Sequence, residues 1–172
     1  MRREIIFKHL PKETIGAEIG VWKGEFAKDL FDKLNPKLLY LIDPWKYQPT
    51  FPDRWYGGTQ ATSQEDMDII YNNVQTMFKD FENVKIIKGN INDIPDNIEL
   101  DWVYIDGDHS YEAVLHDLKY SFNIVKNKGF ITGDDYDIGN DIYKAVHSFL
   151  LENSNVSLLE TQNRQFIIQI TK

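Results

Sequence analysis

The sequence predicts an α/β protein built on a largely parallel, doubly wound sheet, and three observations carry that prediction. Short apolar runs alternate with segments of helical period along most of the chain. The runs are continuously apolar, as in strands covered on both faces, rather than alternating apolar with polar. The C-terminal stretch breaks the rhythm: two strand patterns flank the turn Thr161-Gln162-Asn163-Arg164 and read as an antiparallel hairpin.

TIGAEIGV (14–21) is the first strand, followed by a helix from Glu25 to Leu34 with Phe26, Leu30, Phe31 and Leu34 on one face. Asn35-Pro36 stops that helix. LLYLID (38–43) is the second strand, VKIIKG (84–89) the third, DWVYID (101–106) the fourth and GFITGD (129–134) the fifth. Tyr111, Val114, Leu115, Leu118 and Phe122 mark a helix between strands four and five. VSLLE (156–160) and QFIIQI (165–170) form the hairpin. After strand two, PWKYQPTFPDRWYGG packs three prolines, two tryptophans and two tyrosines without period. Such a loop at a strand's C-terminal end is either a cover for a bound ligand or a locally packed structural piece. Thr62-Ser63-Gln64-Glu65 then reads as a capping box for a helix whose Met67, Ile70, Tyr71, Val74, Met77 and Phe78 share one side.

At 172 residues the chain has room for one domain, 1–172, and is short for two. Hydrophobic content of 42% separates it from disordered chains. The absence of cysteine excludes disulfides, thiol catalysis and thiolate metal sites. The opening MRREIIFKHLPKET holds too little apolar sequence before Pro11 for a signal peptide. No segment approaches the ~18 apolar residues of a membrane span, so the expected location is the cytoplasm and no membrane partner is expected. A formal charge of −8 with no Lys/Arg stripe argues against nucleic acid and for a small-molecule partner.

Two clusters carry chemistry. The first is Glu18-x-Gly20-x-x-x-Gly24, between strand one and its helix. Glycines there admit a ligand close to the backbone, and the helix start offers free N–H groups. The spacing is not the dinucleotide G-x-G-x-x-G, and a carboxylate at this strand end suits a cationic amino-acid group better than a phosphate. Asp43, nineteen residues past Gly24, stands where an acid accepts ribose hydroxyls. Taken separately, these are also ordinary turn residues.

The second cluster is Val103-Tyr104-Ile105-Asp106-Gly107-Asp108-His109-Ser110-Tyr111 together with Gly133-Asp134-Asp135. Strand ends four and five are neighbours in a doubly wound sheet, so Asp106, Asp134 and Asp135 converge and repel unless protons or a cation intervene. A hard cation such as Mg²⁺ resolves the conflict and gives it a use, polarising a substrate hydroxyl. The competing reading makes Asp106 and Asp108 turn and cap residues. Asp108 and His109 are the candidate general bases. His9, His116 and His147 lie on helical patterns and read as structural or exposed.

The segments AEIGVWKGEFA, YLIDPW, VKIIKGNINDIP, DWVYIDGDHSYEAVLHDL and KGFITGDDY resemble the class I S-adenosylmethionine-dependent methyltransferases, in family order from about 17 to 136. Within that class they are similar to the small-molecule O-methyltransferase branch that includes macrocin O-methyltransferase-like proteins. The fold then expected is Rossmann-like, with strand order 3-2-1-4-5-7-6 and the last strand antiparallel. The resemblance implies that Glu18 and Gly20, with Gly24, line the methionine part and that Asp43 holds the ribose. Gly89 to Asp93, with Asn90, Ile91 and Asn92, border the adenine, and Asp106 adjoins the cofactor. It also implies metal-binding acids at Asp106, Asp134 and Asp135. Some sugar O-methyltransferases of this type carry an acid at the Asp108 position, and catechol-type relatives a lysine at that of His109. Relatives have a longer helical extension before strand one, which covers the substrate and supports dimers. Here about fourteen residues precede it, so loop 44–61 is the expected cover, and a homodimer remains open. The expected activity is methyl transfer to a small-molecule hydroxyl with Mg²⁺ assistance. The alternatives are a non-catalytic cofactor-binding regulator and, less suited to Glu18 and the glycine spacing, a nicotinamide-dependent oxidoreductase.

Overall fold

The computed structural model describes residues 3–172. Its strands are β1 (Ile15–Ile19), β2 (Leu38–Asp43), β3 (Val84–Lys88), β4 (Leu100–Ile105), β5 (Val125–Gly133), β6 (Val156–Gln162) and β7 (Gln165–Ile170). They form one sheet in the order β3-β2-β1-β4-β5-β7-β6, as the family resemblance implies. The first five run parallel, and β7 is antiparallel to both its neighbours.

The helices are α1 (Ile6–His9), α2 (Glu25–Leu34), α3 (Gln64–Phe78), α4 (Tyr111–Ile124) and α5 (Asp141–Glu152). Helices α1, α2 and α3 cover one face of the sheet, where Leu39, Leu41, Trp102 and Tyr104 are buried. Helices α4 and α5 cover the other, against Ala17, Ile19, Val103, Ile105 and Ile168. Successive residues of β4 therefore enter opposite cores, which is why its sequence is apolar at consecutive positions. Gly16 makes the first core possible: a Cβ there would lie 2.1 Å from the Trp102 ring. No helix among the described residues is long and apolar enough to cross a membrane.

Three details differ from the sequence expectations. The box capping α3 is Ser63 with Asp66, one residue on from Thr62 and Glu65. Thr62 instead adds its own N–H and hydroxyl to Asp66, at 2.7 and 2.9 Å, so a shorter acid gathers every local donor. Strand β5 begins at Val125, before the expected Gly129, through a pair with Leu100 that precedes a register shift. Helix α5, with Ile142, Ala145, Val146 and Phe149 buried, completes the second face. These residues recur at helical spacing in the sequence.

Candidate functional site

At the C-terminal ends of β1, β2 and β4 the chain encloses a cleft of about 810 Å³, lined among others by Gly20, Asp43, Asn90, Asp106, Asp108 and His109. Its location is the switch point where strand order reverses, and its size suits a small ligand. The wall is drawn tight by backbone bonds: Gly20 N–H donates to Ile42 O at 2.8 Å and Asp106 N–H to Ile19 O at 2.7 Å. Gly20 has φ +86°, and a Cβ there would stand 2.1 Å from Asp106 O. Only glycine fits that turn.

Asp43 is buried at the end of β2 and faces the cleft. Its Oδ2 accepts the Trp22 N–H at 2.9 Å and its Oδ1 the Trp45 N–H at 2.7 Å. Burial pushes its pKa up, against the lowering effect of these backbone donors. Asn90 reaches the cleft with its side chain capping the turn Ile91–Asp93. Ile91 is buried in the second core and Asn92 is exposed, so of the expected adenine border Gly89 and Asn90 line the cleft. Gly24 caps α2 with φ +81° and packs toward Val74 and Met77 of α3. Glu18 is buried beneath the wall, and its Oε2 has no hydrogen-bond partner among the described residues. Burial, reinforced by Asp106, raises its pKa well above the carboxylate norm.

The converging acids are present, but their distribution was not legible in the sequence. Arg3, from the segment before α1, lies between two of them. Its Nη2 donates to Asp106 Oδ2 at 2.5 Å and to Asp134 Oδ2 at 2.7 Å, and its Nε to Asp134 Oδ2 at 3.0 Å. Burial opposes the charge on Arg3, yet Tyr104, Asp106 and Asp134 outweigh it and raise its pKa further. Asp134 Oδ1 accepts the Gln165 side chain at 2.5 Å and the Asp135 N–H at 2.6 Å. Gln165 in turn accepts the Tyr104 hydroxyl at 2.9 Å. Asp135 Oδ1 pairs with Arg164 at 2.9 Å.

His109 faces the remaining oxygens: Nε2 is 3.8 Å from Asp106 Oδ1 and Nδ1 is 3.5 Å from Asp135 Oδ2. Its contact with Asp106 raises its pKa; burial opposes this and Asp135 adds to it. Asp106, His109 and Asp135 thus bring one ligand atom each within 4.8 Å of one another. Asp134, expected beside Asp106 and Asp135 as a metal-binding acid, accepts from Arg3 and Gln165 and lies outside this cluster. Asp108 lines the cleft while its Oδ1 accepts the Ser110 N–H at 2.8 Å, a turn bond at the start of α4. Of the other histidines, His9 contacts Glu160 and His147 contacts Tyr136, whereas His116 also lines the cleft.

Loop 44–61 forms the outer wall through Gln48, Asp53, Arg54, Trp55 and Tyr56. Its ends are pinned by buried Trp45, whose indole N–H donates to Trp22 O at 2.9 Å, and by buried Ala61. Its middle holds a π turn, Trp55–Thr59, with Trp55 57% exposed, so the aromatic load is available above the cleft.

No curated protein matches the chain. Among solved structures, the O-methyltransferase NovP shares the fold at a TM-score of 0.67 and 18% identity, over 99% of this chain and 76% of that one. The N-methyltransferase NodS from Bradyrhizobium japonicum WM9, in complex with S-adenosyl-L-homocysteine, shares it at 0.64 and 11%, over 99% and 86%. An rRNA methylase from Streptococcus thermophilus does so at 0.64 and 12%, over 99% and 94%. Residues 17–136, which contain both chemical clusters, match the family described as a methyltransferase domain. The chain belongs to that family of methyltransferases.

Proposed function

We propose that the protein transfers the methyl group of S-adenosylmethionine to a hydroxyl of a small molecule. The observation that carries this reading is one cleft with two chemically distinct ends: Gly20 and Asp43 at one, Asp108 and His109 at the other. The first end fits the cofactor. Gly20 gives close backbone approach, and Asp43 presents a strand-end acid for hydroxyls. Glu18 lies beneath this end, its buried Oε2 without a hydrogen-bond partner among the described residues, an acid suited to an amino-acid end. S-adenosylmethionine supplies an electrophilic methyl group when bound; NodS, of the same fold, is seen with its demethylated product.

At the second end this chain's residues bind, orient and deprotonate the acceptor. His109, held toward both Asp106 and Asp135 at 3.8 and 3.5 Å, orients these acids. Asp108 is left as the base, its Oδ2 taking the hydroxyl proton while Ser110 N–H fixes the opposite oxygen. The donor set Asp106, His109 and Asp135 would hold a divalent cation, which would supply Lewis acidity toward the hydroxyl.

A hydroxyl rather than an amine is supported by the sequence resemblance to the small-molecule O-methyltransferase branch and by the acid at position 108. The net charge of −8 and an Asp-rich cleft disfavour an RNA acceptor. The test is calorimetry with S-adenosylhomocysteine, followed by a labelled-methyl screen of hydroxyl compounds, amines and an rRNA fragment. Product on an amine or on RNA alone would overturn the O-methyl reading, and cofactor binding with no turnover would favour the regulatory alternative.

A further inference from the structure

We propose that Arg3 is a built-in cation: a positioning residue that joins Asp106 and Asp134 and assembles the acid end of the cleft without a divalent ion. Arg3 lies 103 residues from the first acid and 131 from the second, so its place is set by the fold rather than by local sequence. Ile5, Ile6 and Leu10 are buried in the first core and fix the segment that carries it. Its guanidinium lies 4.2 Å from the centre of the Phe26 ring and 5.5 Å from that of Tyr104, a stacked and forked geometry that a lysine reproduces only in part.

Two consequences follow for the site. The bonds to Asp134 from Arg3, Gln165 and the Asp135 N–H all come from donors, so an ion bridging Asp106 and Asp134 would have to displace the guanidinium. Arg3 also bears on the cofactor end, because the Asp106 carbonyl stands where a Gly20 Cβ would be. A shift of Asp106 is therefore felt by the Gly20 turn. Without Arg3, half-buried Asp106 and buried Asp134 lose the cation they share, and breaking such a pairing is far more disruptive than never having it.

The inference rests on the cofactor reading only for its ligand, so the test has an arm without one. Wild type, Arg3→Lys, Arg3→Met and Arg3→Met with Asp134→Asn are compared in EDTA and in Mg²⁺. The readouts are S-adenosylhomocysteine affinity by calorimetry and melting temperature without ligand. Wild type should gain less affinity and less melting temperature from Mg²⁺ than Arg3→Met does. In EDTA, Arg3→Met should bind about ten-fold more weakly or worse, as expected when charge-assisted bonds are lost. Mg²⁺ should recover part of that loss and raise its melting temperature. Arg3→Lys should fall between, and the double variant should regain affinity over Arg3→Met because one of the two acids is gone. Arg3→Met that binds like wild type in EDTA overturns the proposal. So does a wild type whose melting and affinity rise with Mg²⁺ as much as those of Arg3→Met. If wild type binds no S-adenosylhomocysteine, the cofactor reading fails, and the melting arm still decides the role of Arg3. If Arg3→Met does not fold, recovery of folding in the double variant supports the acid-pair account, and no recovery overturns it.

Discussion

Asp117 offers a quantitative test of how the cleft tolerates its acids. It lies on α4, lines the cleft with a side chain only 13% exposed, and has His116 Nδ1 at 3.3 Å. Burial raises its pKa from 3.8 to about 6, with Asp108 adding to the rise and His116 opposing it. An acid whose pKa is higher folded than unfolded binds more protons in the folded state between those values, so stability falls as pH rises through that window. The cost is absent below about pH 4 and complete above about pH 6. The interval from 3.8 to about 6 is worth about 3 kcal/mol at roughly 1.36 kcal/mol per pH unit. Partial exposure and the nearby imidazole lower the net effect, so Asp117→Asn should stabilise the protein by about 1–3 kcal/mol at pH 8. In a domain of this size that is an increase of about 3–8 °C in melting temperature, falling to about half at pH 5. Melting curves for wild type and Asp117→Asn at pH 5 and 8 measure it. A variant that melts lower than wild type at pH 8, or whose advantage grows toward pH 5, would show that Asp117 is held as a charged partner.

Asp43→Ala removes the acceptor of two backbone N–H groups and the expected ribose contact. It should weaken S-adenosylmethionine by about ten-fold or more in calorimetry; unchanged affinity would remove Asp43 from the cofactor site. Asp108→Asn should depress turnover with S-adenosylhomocysteine affinity intact, and equal loss of both would make the residue a turn support rather than a base. His109→Gln should cost stability mainly at low pH. The raised pKa means that the favourable charged form is fully present below about 6.5 and is lost as pH rises through the higher folded value; a penalty constant from pH 6 to 9 would contradict this. Amide exchange in loop 44–61 should slow when cofactor and acceptor are both bound, and slow exchange already present in the free protein would make the loop a structural wall.

The fold was legible because both of its signals are local. Continuous runs such as Leu38–Asp43 mark strands buried on two faces, and Gln165–Ile170 after a turn marks the reversed β7. That Gly20, Asp43, Asp106, Asp108 and His109 share one cleft was legible as well, since they sit at or just after strand ends, where topology alone brings them together. Gly24 and Ile91 were adjacent in sequence to that end yet turn into caps and core, because a helix start and a short turn each consume one residue for their own geometry. Asp117 and His116 were missed because nothing in a helical period distinguishes a position facing a cleft from one facing solvent.

Arg3 was illegible for a deeper reason. The sequence shows that three acids converge and therefore need positive charge, but electrostatics fixes only the sign of the partner, not its identity. A metal ion and an arginine solve the same problem, and they differ in where the cost falls. An ion is paid for in ligand dehydration and concentration, whereas an arginine must be delivered by folding. Delivery here needs buried Ile5 and Ile6 to place the segment and a ring of Phe26 under the guanidinium. None of those residues is chemically unusual, so no motif announces them. The same division explains why His109 faces Asp106 and Asp135 while Asp134 turns away: Arg3 and Gln165 draw Asp134 toward β7, and the imidazole takes the vacated position. Whether that position holds a proton or a divalent ion turns on His109, whose imidazole can join Asp106 and Asp135 as a ligand only when deprotonated. Acid should therefore weaken any Mg²⁺ response of this site, and the response should strengthen as His109 deprotonates.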